Sequence, residues 1–394
     1  MNKYYKNVNK LFWVNLFNNC FWLSSVVTFF YLQRNLSYAE ILSLGAIMGL
    51  TIILFEIPTG VIADKYGRKK SLIFSSIFFM LSMFCYLIAN NIFLFALAFI
   101  FLGIGITFAS GATEALIYDS LKISKKESEM RKSMGHFFSA EVLAGVITPP
   151  LASIIAKDLI PWQFNLLIYL TLASYLAAFI ITLTLKDIPL KKYEIKSFAI
   201  SFKDLKLLKE NKKLRRLALN RVFIAVAMSS FVLLWQPQFQ TSHVPVAWFG
   251  VFLAIGSLGI FFVNRKIEWL SKLTTSKTLL IISGLAPAIG FIILGLVFNP
   301  IIAVITYLLI RIIVSVREPI LSQHINDSIC SEKRATILSL ISMVVALITL
   351  ILRPIIGALT DVSLTIGFLT LGILCVISLT VFPITKKYLK DEYE

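Results

Sequence analysis

The chain has 394 residues, 58% of them hydrophobic and 15% charged, whereas a soluble domain holds about 50% apolar and 25% charged residues. That balance excludes an ordinary water-soluble fold. A net charge of +17 would suit a nucleic-acid partner, but the cations are confined to particular loops, so no nucleic acid is expected.

Twelve apolar windows, each about the 20 residues that cross a bilayer as a helix, follow one another along the chain. They lie at 11–32, 41–62, 71–90, 92–118, 134–156, 163–185, 217–240, 246–263, 278–297, 300–324, 335–358 and 364–384. Helices satisfy their own backbone in lipid, so an all-α membrane protein of twelve transmembrane helices is expected. All but six of the 38 Lys and Arg fall at 1–10, 63–71, 120–133, 186–216, 264–277, 325–334 and 385–394. The six are Arg34 and Lys157 in the opposite loops and Arg221, Arg311, Arg317 and Arg353 inside spans. The positive-inside rule places the cation-rich segments and both termini in the cytoplasm. A multi-pass protein of the plasma (cytoplasmic, inner) membrane follows, with lipid as its surroundings. The first window is too long for a cleavable signal peptide and lacks its small-residue site.

In the first span Asn15, Asn18, Asn19, Trp22 and Ser25 recur every three or four residues. Such a stripe is expected to face the bundle interior or a wet cavity, with helix–helix hydrogen bonding as its simpler use. Between spans two and three stands "FEIPTGVIADKYGRKKSL", residues 55–72. A turn with anchoring cations explains Gly67 and the basic residues. It does not explain Asp64 four positions after Gly60. Gly60, Asp64, Lys65, Gly67, Arg68 and Lys69 resemble the signature loop of the major facilitator superfamily. Twelve spans, a long central loop and an internal repeat extend the resemblance over essentially the whole chain.

That resemblance implies two pseudo-symmetric six-helix bundles, 1–185 and 217–394, rocking about a central cavity that takes a small-molecule substrate. It also implies a cytoplasmic latch of Gly60, Asp64, Lys65, Gly67, Arg68 and Asp119. In it Gly60 would let helices approach closely, and Asp64 would lie at the N-terminus of the eleventh span near Ser331 to Arg334, where the dipole favours an anion. Arg68 would hold either Asp64 or Asp119. Among members of the family, the chain looks most like the drug:proton antiporters, driven by a proton gradient with no bound cofactor.

Ionisable groups inside spans are functional candidates. Glu56 lies beside the latch. Glu114, on a face with Thr107, Ser110 and Gly111, and Glu141, on a face with Gly145 and Thr148, have no cation nearby in sequence and are candidate proton-coupling sites, together with Glu318 and Glu56. Two departures from the family stand out. Phe99 and Ile100 occupy the place of an arginine that many proton-driven members carry before the glycines at 103 and 105. "AGVITPPLAS" keeps Gly145 and Pro150 of an exporter signature but has Pro149 and Ser153 where glycines are usual.

Residues 186–216 carry a run of cations and divide the chain in two. The middle of this basic linker, "SFAISFKDLKLL", has apolar residues at helical spacing, suited either to the membrane surface or to a solvated connection. The halves echo one another: Glu114, Arg131, Pro150 and Asp158 in the first correspond to Glu318, Arg334, Pro354 and Asp361 in the second, as expected of a duplicated transporter unit. Span seven offers Trp235, Gln236, Gln238 and Gln240. Span ten carries Arg311 and Glu318 seven apart, on one face with Ser315, and Arg317 with His324 on another. Arg311 and Glu318 are expected to form an internal ion pair, or the arginines to meet a substrate. The cavity candidates are thus Asn15, Asn18, Asn19, Trp22, Trp235, Gln238, Arg311 and Arg317.

The leading function is proton-coupled efflux of small amphipathic compounds by a protein expected to be a monomer. The alternative is transport of an anionic metabolite or chelate with Arg311, Arg317 and Arg353 as counter-ions. A membrane enzyme would need a nucleophile or metal set, and His136, His243 and His324 show no ligand spacing. No phosphate loop matches, and a channel would not explain the latch. Cys20, Cys85 and Cys375 in spans and Cys330 in a loop suggest neither a disulfide nor a metal cluster.

Overall fold

The computed structural model describes residues 4–188, 211–329 and 334–385. Among them every regular element is helical: α1 Lys6–Asn18, α2 Val27–Gln33, α3 Tyr38–Tyr66, α4 Arg68–Ile88, α5 Ile92–Ile123, α6 Met130–Ile155, α7 Pro161–Leu183, α8 Lys212–Thr241, α9 Phe249–Arg265, α10 Ile267–Leu273, α11 Ser276–Leu296, α12 Pro300–Ser315, α13 Arg317–Asn326, α14 Arg334–Val362 and α15 Leu364–Thr380. Ten stretches are long and apolar enough to cross a membrane. The remaining two spans are α15, which is shorter, and the first, which α1 and α2 share. The twelve-span reading holds. The middle of the linker and the segment from Cys330 to Lys333 lie outside the described residues.

Local chemistry sets the helix ends. Asn91, Asn211 and Asn299 each turn a side-chain oxygen onto the free N–H groups opening α5, α8 and α12, at 3.0 to 3.2 Å. Such groups have no partner within the helix, and asparagine is a favoured cap. Gly67 separates α3 from α4 at φ 102°. A residue with a side chain rarely adopts that conformation, which accounts for this glycine of the signature loop.

The first span differs from expectation. It stops at Asn18 and resumes only at Val27. Asparagine pairs and serines compete with the helical backbone for hydrogen bonds, and this stretch, "NNCFWLSSVV", is dense in them. Non-helical backbone at membrane depth persists only when protein or water satisfies it. Here Trp22 donates its backbone N–H to Thr171 Oγ1 at 3.1 Å and its indole N–H to Ser174 Oγ at 3.2 Å.

Two compact units emerge. The first comprises Met1–Leu36, Ile47–Ser197 and Val246–Ala254. In it α4 packs on α5 and α7, and an aromatic cluster of Phe30, Tyr31, Tyr86, Phe95 and Phe164 is almost wholly buried. The hydroxyls of Tyr31 and Tyr86 share a hydrogen bond of 2.6 Å. The second comprises Ser37–Ala46, Phe198–Pro245 and Ile255–Glu394. There α11 packs on α15 and α8 on both α14 and α15, around Phe231, Phe291, Tyr307 and Phe368.

Candidate functional site

At the signature loop, Arg68 opens α4 and reaches back to α5. Its guanidinium pairs with Asp119 and donates to the carbonyl of Ala115 at 2.8 Å. Of the two partners open to it, the structure shows Asp119. Asp64 and Lys65 are exposed, and Lys65 lies over the Tyr66 ring at 5.3 Å. The close approach expected at Gly60 is absent: a Cβ there would meet nothing within 4 Å among the described residues. The expected seat of Asp64, near Ser331 to Arg334, lies outside the described residues but for the Arg334 backbone.

The expected ion pair of Arg311 with Glu318 does not form. Glu318 accepts from Arg221 on α8, at 3.1 Å from Nε and with a second contact from Nη2. Arg311 instead donates to the Tyr307 hydroxyl at 2.7 Å, its guanidinium 5.5 Å over that ring. The span changes helix at Val316, between α12 and α13, so the seven-residue stacking of a continuous helix is lost.

Arg317 is only 4% exposed. It donates to the Leu280 carbonyl at 2.8 Å, to Ser283 Oγ at 3.4 Å and to the side-chain oxygen of Asn220. Asn220 in turn donates to the carbonyls of Ser378 at 2.8 Å and Phe382 at 2.9 Å, and its own carbonyl accepts from Ser378 Oγ at 2.7 Å. This knot ties α8, α11, α13 and α15. It engages the Arg317 donors expected to meet a substrate. Arg353 is buried as well, its guanidinium against Gly45.

The polar stripe of span one divides its work. Asn15 donates to the Phe137 carbonyl at 2.9 Å and accepts from Asn19 at 3.0 Å, and Trp22 is held by α7. The side-chain oxygens of Asn18 and Ser25 are buried without a hydrogen-bond partner among the described residues. In span seven Trp235 packs against Tyr307 at 4.9 Å, and Gln236 and Gln238 are fully buried. Glu56, Glu114 and Glu141 are exposed on their helices, and among the described residues none makes an ion pair. Where the arginine of proton-driven relatives would stand, Phe99 joins Tyr31 and Tyr86, ring centroids 6.4 and 6.2 Å away. Nothing in the sequence marks Asn220 or Asp361 as a partner for another helix, beyond an amide or carboxylate at the edge of an apolar run.

The sequence model of the Major Facilitator Superfamily matches residues 11–351. An MFS-type transporter of Bacillus subtilis strain 168, YxaM, is 21% identical over 373 residues, covering 93% of this chain and 92% of that protein. A transporter of Buchnera aphidicola is 30% identical over 107 residues, 27% of this chain and 26% of its own. Among solved structures, the nucleoside transporter NupG superposes with a TM-score of 0.81 at 13% identity, over 97% of this chain and 98% of that one. A bacterial homologue of the human lysosomal transporter Spinster gives 0.69 at 15% identity, over 97% and 95%. A helical fold of twelve spans, a signature loop pinned by Arg68 and Asp119, and a family match across most of its length place this chain in the major facilitator superfamily.

Proposed function

We propose that this membrane transporter expels small amphipathic compounds in exchange for protons, working by alternating access in the cytoplasmic membrane with both termini inside. The observation that carries this reading is the state of Glu114 and Glu141. Both are carboxylates within spans, both are exposed on their helices, and neither is neutralised by an ion pair among the described residues. An ionisable group in a span usually marks a proton or substrate path. The anionic-substrate alternative draws less support, because Arg311 donates to the Tyr307 hydroxyl and Arg317 to protein acceptors. Nucleoside and peptide transporters share the fold, but at identities of 12 to 14% fold does not fix substrate.

The test is transport in proteoliposomes with an imposed pH gradient, across a panel of amphipathic cations, neutral compounds and small anions. Accumulation of amphipathic compounds that collapses with the gradient supports the proposal. Transport of anions alone, or transport indifferent to the gradient, overturns it.

A further inference from the structure

We propose that Asp361 and Gly357 are positioning residues for the transport cycle: they clamp α14 onto α3 and set how readily the protein opens at the end away from its basic loops. The inference rests on the alternating-access reading above. Asp361 stands in the last turn of α14. Its carboxylate accepts hydrogen bonds from the backbone N–H groups of Tyr38 at 2.7 Å and Ala39 at 3.0 Å. Those N–H groups open α3 and have no carbonyl of their own helix to meet, and the dipole of α3 favours an anion at that end. One turn earlier, α14 presents Gly357. A Cβ there would collide with the carbonyl oxygen of Tyr38 and the Cα of Ala39. The backbones therefore touch, and only glycine permits it.

The two helices come from different halves of the repeated chain, α3 from 1–185 and α14 from 217–394. The first turns of α3, Ser37–Ala46, nonetheless cluster with the second compact unit. The internal repeat supplies a counterpart. Pro150 on α6 corresponds to Pro354 on α14, which sets Ser153 in the place of Gly357. Ser153 Oγ donates to the carbonyl of Ala247 at 2.9 Å, just ahead of α9. Gly250 of α9 lies so close to the Pro149 carbonyl that a Cβ would collide with it. The same joint is thus built twice, the end of one span on the start of another from the opposite half. In the first joint the carboxylate takes part, whereas Asp158, the counterpart of Asp361 in the repeat, accepts from Gln163 at 3.0 Å. Separating α3 from α14 must break both bonds to Asp361, so its carboxylate biases the equilibrium against that opening, while backbone contact at Gly357 fixes the register.

Hydrogen exchange on the purified full-length protein, with no substrate added, reads the clamp directly. Asp361→Ala should speed exchange of the amides at 38–40 roughly tenfold, and it should also speed exchange at 246–250 in the second joint. Gly357→Ala, which leaves the carboxylate in place but wedges the backbones apart, should do the same. Asp361→Asn keeps acceptor oxygen without charge and should fall between wild type and Asp361→Ala; it carries the test if Gly357→Ala fails to fold. Faster exchange confined to 38–40 would mean a local helix cap and would overturn the clamp. So would a folded Gly357→Ala with wild-type exchange. A wild-type protein that moves no compound in proteoliposomes would overturn the transport reading instead, whatever the exchange pattern.

Discussion

Asn220 and Arg317 face one another inside the second unit, the amide oxygen accepting from a guanidinium that is 4% exposed. The pair lies 97 residues apart in sequence, and it joins α8 to α13 without a carboxylate. Hydrogen bonds to a charged group contribute about 1.5–3 kcal/mol, and an abandoned buried partner costs more than the bond was worth. Asn220→Leu is therefore expected to lower stability by about 3 kcal/mol, seen as a fall in thermal unfolding midpoint. Combining it with Arg317→Met should recover part of that loss, because an apolar pair removes both the charge and its unmet need.

The signature loop separates stability from function. Asp119→Asn weakens the partner of Arg68, which also donates to the carbonyl of Ala115, and should cost about 1–2 kcal/mol. Asp64 is exposed, so Asp64→Asn should change stability by less than about 0.5 kcal/mol and yet impair transport if Asp64 serves the latch. Parallel melting and proteoliposome assays on the two variants decide it. Equal melting and equal transport in both would end the latch proposal.

The proton path makes a sharper demand. If Glu114 or Glu141 couples transport, ligand binding must release a proton by linkage. Weakly buffered protein should acidify on ligand addition, and the responsible Gln variant should not. Proton release that persists in both Gln variants would exclude both glutamates and leave Glu56, Glu318 or another ion.

Just ahead of α6, Glu129 accepts from Lys126 Nζ at 2.8 Å and from the Tyr5 hydroxyl at 2.8 Å, with Lys126 4.2 Å over the Tyr5 ring. The hydrogen bond from Lys126, then that from Tyr5, holds the Glu129 carboxyl below its ordinary value. The hydrogen bond to Glu129 raises both Lys126 and Tyr5. A lowered carboxylate stabilises above its unfolded value, about pH 4.3, and the benefit is lost as pH falls through the folded value. A raised lysine stabilises below its unfolded value, about pH 10.4, and the benefit is lost as pH rises through the folded one. The tie between the N-terminal segment and the start of α6 should therefore hold across neutral pH and loosen at both extremes. Limited proteolysis near residue 125 as a function of pH reads this, and Lys126→Ala should reduce the acid limb to what the Tyr5 hydrogen bond supplies and remove the lysine's alkaline limb.

Much of this protein is written locally. The apolar runs fixed the spans because crossing lipid is a matter of length and composition, both properties of a segment. The caps at Asn91 and Asn299 and the turn at Gly67 act for equally local reasons. That Arg311, Arg317 and Glu318 share a span was also legible, but the break at Val316 that parts their faces was not, and neither were their partners. Helical periodicity gives the face a side chain occupies, not the helix that face will meet. Glu318 thus turned to Arg221, Arg68 chose Asp119, and Arg317 found Asn220, each across a long interval of chain. The break between Asn18 and Val27 lay equally beyond the sequence, because a run of that hydropathy reads as continuous helix until Thr171 and Ser174 of α7 supply the hydrogen bonds that let it unwind. The pairing of Asp361 with the start of α3 required both helices to be in place before a carboxylate could find the free N–H groups, and only tertiary packing does that.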